Sequence, residues 1–301
     1  MAIYSIGDLA KISGVKAPTL RIWEQRYGIL TPKRTPGNAR YYDDDDLRHL
    51  LNVALLNRNG LRISRIAKLG EAELLSRAAE IADLSDEYAT QLDALTLSML
   101  EMDELRFDRL LSVNIEQFGF ERTMLEVLMP FLDKLTVLWV TGSVKPIQER
   151  FTAALILRKL LVAIQQLPHP TAPRAPALAL YLPPGESQEM SLVLLHYLAK
   201  RQGYRVYYLG AEVAAADVAD ACAIVAPDLL FTMVSETFAG GGLDAYAAGV
   251  LEAAGPRTRL LLSGYQVAAQ GVESRGRLLA LASLQQTLDA LRQYKSTAGG
   301  A

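Results

Sequence analysis

Four prolines within nine residues, Pro168, Pro170, Pro173 and Pro176, divide this chain into two stretches of different rhythm. A proline cannot donate a backbone hydrogen bond, so residues 168–176 form an extended linker instead of prolonging a helix. Beyond it, short apolar runs at 177–182, 205–209, 229–233, 259–262 and 278–282 alternate with helical stretches such as 190–201 and 243–254. Strand then helix, repeated five times, predicts a flavodoxin-like, doubly wound parallel sheet of five strands over residues 177–301. Ligands of such sheets sit outside the carboxyl ends of the strands, so the loops 183–191, 235–242 and 263–266 should share one rim.

Ahead of the prolines the period is helical. Apolar residues recur at that spacing through 87–102, 105–118, 121–140 and 147–167, which with a connecting helix predicts a four-helix bundle over residues 71–167. Asp103 and Ser143 suit N-caps and Pro146 suits a first turn, whereas Pro130, inside the third helix, predicts a kink. Phe151, Leu155, Leu157 and Leu161 give the last helix an apolar stripe.

Residues 1–70 read differently again. Ser5 followed by Asp8 is a capping-box start for a helix running to Gly14, and Pro18 suits the first turn of a second helix whose Leu20, Trp23 and Tyr27 pack back on the first. The next segment, Thr31 to Tyr42, holds two prolines and a Gly-Asn turn signal and predicts a β-ribbon, a wing. The acid run Asp43 to Asp46 opens a third helix, and a short fourth spans 63–69. The whole predicts a winged helix-turn-helix. Its net charge is +6 against −8 for the remainder of a chain whose total is −2, so the basic charge gathers where DNA would lie.

The exclusions are equally plain. Cys222 is the sole cysteine, and His49, His169 and His196 are far apart in sequence, which argues against a disulfide and against a metal site. No run is apolar for long enough to span a membrane, and the start lacks a signal-peptide pattern, so a cytoplasmic protein is expected. No Gly-x-Gly-x-x-Gly follows the first strand of the sheet and no nucleophile is paired with a base, so no enzyme and no catalytic residues are expected.

The string Thr19-Leu-Arg-Ile-Trp-Glu-Gln-Arg-Tyr-Gly28, with the wing Gly37 to Tyr42, resembles the MerR family of winged-helix regulators over about the first quarter of the chain. The resemblance implies a homo-oligomer, dimer or tetramer, that binds double-stranded operator DNA. Positions equivalent to Arg21, Trp23, Arg34, Arg40 and Tyr41 approach the duplex in that family, and Lys16, Thr19 and Arg26 complete the candidate DNA-binding set. Trp23 suits the core equally well. Ile22 stands where many members carry an aromatic, so base preference does not transfer.

Residues 71–301 resemble a second family, the cobalamin-binding module of light-responsive carotenoid-gene regulators of the CarA, CarH and LitR type. Its Glu/Asp-x-His-x-x-Gly motif is represented by Glu186-Ser-Gln188-Glu-Met-Ser191, and its Trp-x9-Glu-His motif by Trp139 with Glu149-Arg150. Ser235-Glu-Thr237 matches its Ser-x-Leu/Thr segment, and Ser263-Gly264 replaces its Gly-Gly. Both histidines are absent. The carboxamide of Gln188 is a far poorer cobalt ligand than imidazole, and the guanidinium of Arg150 is none at all. Ser191 adds atoms where the motif's glycine leaves room.

Cobalamin binding is therefore expected to be lost or much weakened, leaving a candidate pocket of Trp139, Glu149, Arg150, Glu186, Gln188, Ser191, Ser235, Thr237, Ser263 and Gly264. Glu186 and Gln188 equally suit simple caps of the following helix. The expected function is a DNA-binding transcriptional regulator whose sensor module is ligand-independent or senses another small-molecule effector. The alternative left open is an adenosylcobalamin-dependent photoreceptor regulator that binds the cofactor without a lower histidine.

Overall fold

In the computed structural model the chain gathers into two compact units, Met1–Ile156 and Leu157–Ala301. The structure describes residues 4–34, 38, 40–84, 88–132, 135, 144–170, 175–236 and 242–298. Ser143, expected as a cap, lies outside them, as do Trp139 and Thr237.

The N-terminal unit opens with α1 (Ile6–Ser13). The Ser5 hydroxyl accepts from the Asp8 N–H at 3.2 Å while the Asp8 carboxylate accepts from the Ser5 N–H at 2.8 Å, which satisfies two end groups reciprocally. Gly14, at φ +67°, ends α1, and Gly28, at φ +64°, ends α2 (Ala17–Tyr27). The wing is an antiparallel pair, β1 (Lys33–Arg34) with β2 (Arg40–Tyr41), steadied by a bridge between Tyr4 and Tyr42. A second capping box, Asp43 with Asp46, starts α3 (Asp44–Arg58), and α4 (Ile63–Ile66) is shorter than the 63–69 expected.

Packing continues without a break. Leu47, Leu50, Leu51, Val53, Ala54, Leu55 and Leu56 of α3 are at most 1% exposed because α1 covers one side and α5 (Glu71–Leu84) and α6 (Tyr88–Glu101) cover the other. Each buried leucine or valine there stabilises by roughly 1.5–3 kcal/mol. α6 is central: Ala94, Leu95, Leu97 and Met99 are fully buried, as are Thr90, Thr96 and Ser98. α7 (Glu104–Phe118) starts at Asp103, whose carboxylate accepts from the Arg106 N–H at 3.0 Å as the cap expected there. Its Asn114 donates to Gln91 of α6 at 2.8 Å.

The kink expected at Pro130 takes the form of a widened turn. α8 begins at Phe120–Arg122 and passes into π-helical Thr123–Leu128, where Met129 N–H reaches back five residues to Met124. Pro130 has no N–H for the Glu126 carbonyl, and the wide turn just ahead of it removes the mismatch. α9 (Pro146–Gln166) does start with its proline, but its buried side is Thr152, Leu155, Ile156, Leu160, Ala163 and Ile164. Leu161, expected in the stripe, is 46% exposed. A helix whose apolar and charged residues are mixed around its circumference does not announce which side it buries.

The C-terminal unit is a five-stranded parallel sheet in the order β4-β3-β5-β6-β7, the flavodoxin-like arrangement. Its elements are β3 (Ala177–Tyr181), α10 (Glu189–Arg201), β4 (Arg205–Gly210), α11 (Ala215–Val225), β5 (Leu229–Met233), α12 (Leu243–Ala253), β6 (Arg259–Ser263), α13 (Tyr265–Ala269), β7 (Leu278–Leu281) and α14 (Leu284–Ala298). Alternation along the strands sends Ala179, Tyr181, Leu230, Leu260 and Leu262 to one face, against Val218 and Cys222 of α11 and Leu243, Ala247 and Val250 of α12. Leu178, Leu180, Leu229, Phe231 and Leu261 take the other, where α10 and α14 bring buried Leu192, Leu195, Leu288 and Leu291. Tyr204, in the turn between α10 and β4, ties that turn to α14 by donating its buried hydroxyl to the Leu291 carbonyl at 2.6 Å.

Candidate nucleic-acid interface and sensor rim

On α2 the 3.6-residue period separates two sides. Leu20 and Trp23 are buried against the helices behind, Trp23 to 5% exposure, so the ring supports α2 from the core. Lys16, Pro18, Arg21, Ile22, Gln25 and Arg26 are exposed, with Thr19 and Tyr27 half-buried at the margin. Among the described residues, Arg21 and Arg26 form no ion pair. No side chain caps the N-terminus at Lys16, so the first N–H groups of α2 have no internal acceptor from that side.

The wing is braced on α2 through Glu24. Its carboxylate accepts from the Tyr42 hydroxyl at 2.5 Å and lies 3.6 Å from the Arg40 guanidinium, whose other side is solvent-facing. Burial and this carboxylate push the Tyr42 phenol well above its usual range. Arg34 bonds Asn38 at the turn, where Asn38 adopts φ +64°. Tyr41 is half-buried beside Arg40. Lys33 is engaged by Asp43 and Asp46, and its ammonium holds the Asp43 carboxyl down to about 2. The sequence named Arg40 for DNA; Glu24, which positions it, was missed because a lone half-buried carboxylate on a basic helix carries no pattern.

The C-terminal rim is tied together by one residue. Glu186, 5% exposed in the loop after β3, accepts on one oxygen from the Ser235 and Glu236 N–H groups of the loop after β5, at 2.5 and 3.1 Å. Its other oxygen accepts from the Ser187 N–H at 3.1 Å. Ser187 in turn donates to Glu236 at 3.0 Å. The third loop joins through the backbone: Val234 N–H bonds Ser263 O at 2.8 Å, and Gln266 N–H bonds Val234 O at 3.1 Å. Gly264 sits at φ +109° with its α-carbon against Val234, where an added Cβ would lie 2.3 Å from the carbonyl oxygen. The three loops expected at one rim do meet.

What these residues offer cobalt is little. Gln188 stands at the start of α10 without capping it, and its carboxamide oxygen is 3.4 Å from the Ser191 hydroxyl. Ser263 gives its hydroxyl to the Leu281 carbonyl at 3.0 Å. No lone-pair donor comparable with imidazole is present in that loop, so its side chains do not fit cobalt ligation. Glu149 and Arg150 are exposed on the first turn of α9, in the N-terminal unit.

Residues 4–73 match the family model described as MerR HTH family regulatory protein. Over 234 residues the chain is 30% identical to the HTH-type transcriptional repressor CarH of Myxococcus xanthus, spanning 75% of this chain and 77% of that protein. The chain belongs to the MerR family. The HTH-type transcriptional repressor CarA of the same organism is also 30% identical, over 75% of this MerR-family chain and 74% of its own length. The monomethylamine corrinoid protein of Methanosarcina barkeri shares the fold at a TM-score of 0.51 and 14% identity, over 65% of this chain and 94% of that one. The family settles the class: a MerR-family transcriptional regulator whose rear carries a corrinoid-protein fold. Among the described residues no helix is long and apolar enough to cross a membrane, and no cluster of His, Cys, Asp or Glu is suited to a metal.

Proposed function

We propose that this MerR-family regulator binds double-stranded operator DNA as a homo-oligomer through α2 and the wing, with a rear module that works without a cobalt-ligating side chain. Lys16, Thr19, Arg21, Arg26, Arg34, Arg40 and Tyr41 meet phosphates and groove edges, and Trp23 backs them. The uncapped start of α2 presents N–H groups to a phosphate beside the Lys16 ammonium. The observation that carries the second half is Glu186: its carboxylate is filled by three backbone N–H groups, and its neighbour Gln188 offers an amide where a metal would need an imidazole. The module is then a scaffold, or a sensor of a small molecule other than one held through cobalt.

Two measurements test this. Affinity for promoter DNA from its own operon should fall steeply with salt, as cations displace condensed counterions. Arg40→Ala should weaken all duplexes by a similar factor and flatten that slope by about 1; an unchanged slope removes the wing from the interface. For the rear module, adenosylcobalamin or methylcobalamin mixed with the protein should separate from it on gel filtration. A red protein peak with cobalt ligated by a side chain overturns that half.

A further inference from the structure

The exposed side of α2 has a midline that is not charged. At 3.6 residues per turn, Pro18, Ile22 and Gln25 fall along one line, while Arg21 and Arg26 flank it on opposite sides. Ile22 is 49% exposed, although it is a large aliphatic side chain on a basic helix. Gln25, one turn on, is exposed as well. Neither side chain belongs to the buried set that holds α2, which is Leu20 and Trp23 on its far side.

A helix lying in the major groove turns its midline to base edges and its flanks to the phosphate walls. An aliphatic group at the midline has one complement there, the thymine C5-methyl, and a carboxamide has another, the N6 and N7 pair of adenine. Ile22 and Gln25 are separated by three residues, about 4.5 Å along the helix axis, close to one base-pair step of about 3.4 Å. We propose that Ile22 and Gln25 are the specificity-determining pair of this protein and read adjacent A·T pairs in each operator half-site, Ile22 on a thymine methyl and Gln25 on an adenine edge. The flanking arginines set register and carry affinity.

This inference rests on α2 entering a major groove, and the test keeps the two apart. Full-length protein selects duplexes from a randomised library at low ionic strength, and the enriched sequence is remade with uracil for thymine, then with 7-deazaadenine for adenine, one position at a time. Losing a methyl contact corresponds to about a four-fold loss of affinity. We expect that loss at one thymine for the wild type, none at that position for Ile22→Ala, and a 7-deazaadenine penalty next to it that Gln25→Ala abolishes. Both variants change exposed positions and should melt with the wild type; the base-analogue arms on the wild type need no variant at all. Retention of enriched duplexes with no thymine-methyl effect, or an effect that survives Ile22→Ala, overturns the pairing while leaving DNA binding intact. Failure to retain any duplex removes the reading on which it rests.

Discussion

Replacing Glu186 separates a carboxylate that ties loops from one kept for a ligand. It is 5% exposed and accepts three backbone N–H groups, two on one oxygen and one on the other. Hydrogen bonds to a charged acceptor contribute roughly 1.5–3 kcal/mol when buried. These three are only partly buried, so about 1 kcal/mol each is the fitting figure. Glu186→Ala should then destabilise the C-terminal unit by about 3 kcal/mol, which for a unit of this size lowers its melting temperature by about 6–12 °C. Glu186→Gln keeps one carbonyl oxygen for the Ser235 and Glu236 amides and turns an NH2 toward Ser187, so its loss is about 1 kcal/mol. Calorimetry of the full chain reads the first effect. Hydrogen exchange at the Ser235 and Glu236 amides reads its origin, with faster exchange in Glu186→Ala alone. A residue held in place for a ligand behaves in the opposite way, since removing it usually stabilises the empty protein. A Glu186→Ala variant that melts at or above the wild type, with unchanged exchange at those amides, refutes the tie.

Two further expectations follow from the same rim and its neighbouring helix. Gly264→Ala places a Cβ 2.3 Å from the Val234 carbonyl oxygen at a backbone angle side chains avoid, and should lower the urea midpoint by the equivalent of about 3 kcal/mol or more. His196, stacked on Tyr208 with ring centroids 5.6 Å apart, has its pKa lowered to about 4 by burial and then by the Lys200 ammonium. Because folding depresses that pKa, the neutral ring's stability is present above pH 6.5 and is lost as pH falls toward 4. After allowance for solvent screening this amounts to about 1–2 kcal/mol. His196→Phe keeps the stack and should reduce the difference in urea midpoint between pH 7 and pH 4.5 by that amount; an unchanged difference counts against it.

Much of the architecture was legible because it rests on patterns that only backbone physics can explain. Ser5 with Asp8 and Asp43 with Asp46 read as capping boxes in sequence and form them in space. The proline cluster and the alternating runs beyond it gave the five strands to within a residue at either end, since fully buried parallel strands need continuous apolar runs. The misreadings fall where periodicity carries no side. α9 mixes apolar and charged residues around its circumference, so the period points to Leu161 while Leu160 and Ile164 are the buried residues. At Pro130 the sequence shows a missing donor without saying whether the helix bends or widens, and here it widens. Of the sites, the cations of α2 and the wing were visible from composition and spacing. Glu186 was visible as a position, but its partners are N–H groups of another loop, and no spacing encodes a contact 49 residues away.

The winged-helix pattern ends near residue 70, yet the packing that supports it does not. Arg58, the last residue of α3, donates to the Ser13 carbonyl at the end of α1 and pairs with Asp93 of α6, whose side chain is 2% exposed. The next residue, Asn59, donates to Thr90 at 3.1 Å, and Lys145 reaches Asp44 at the other end of α3 at 3.2 Å. α3 is thus held at its C-terminal end by α6 and at its N-terminal end by Lys145, the residue ahead of α9, and α1 is held to α3. A rotation of α6 by even part of a turn would have to break an ion pair that is buried on its Asp93 side or carry the α1 terminus with it, because a close-packed interior moves between discrete arrangements and does not deform smoothly. α2 packs on α1, and Arg58 ties α1 to α3, so the placement of α2 depends on that chain of contacts as well as on the wing.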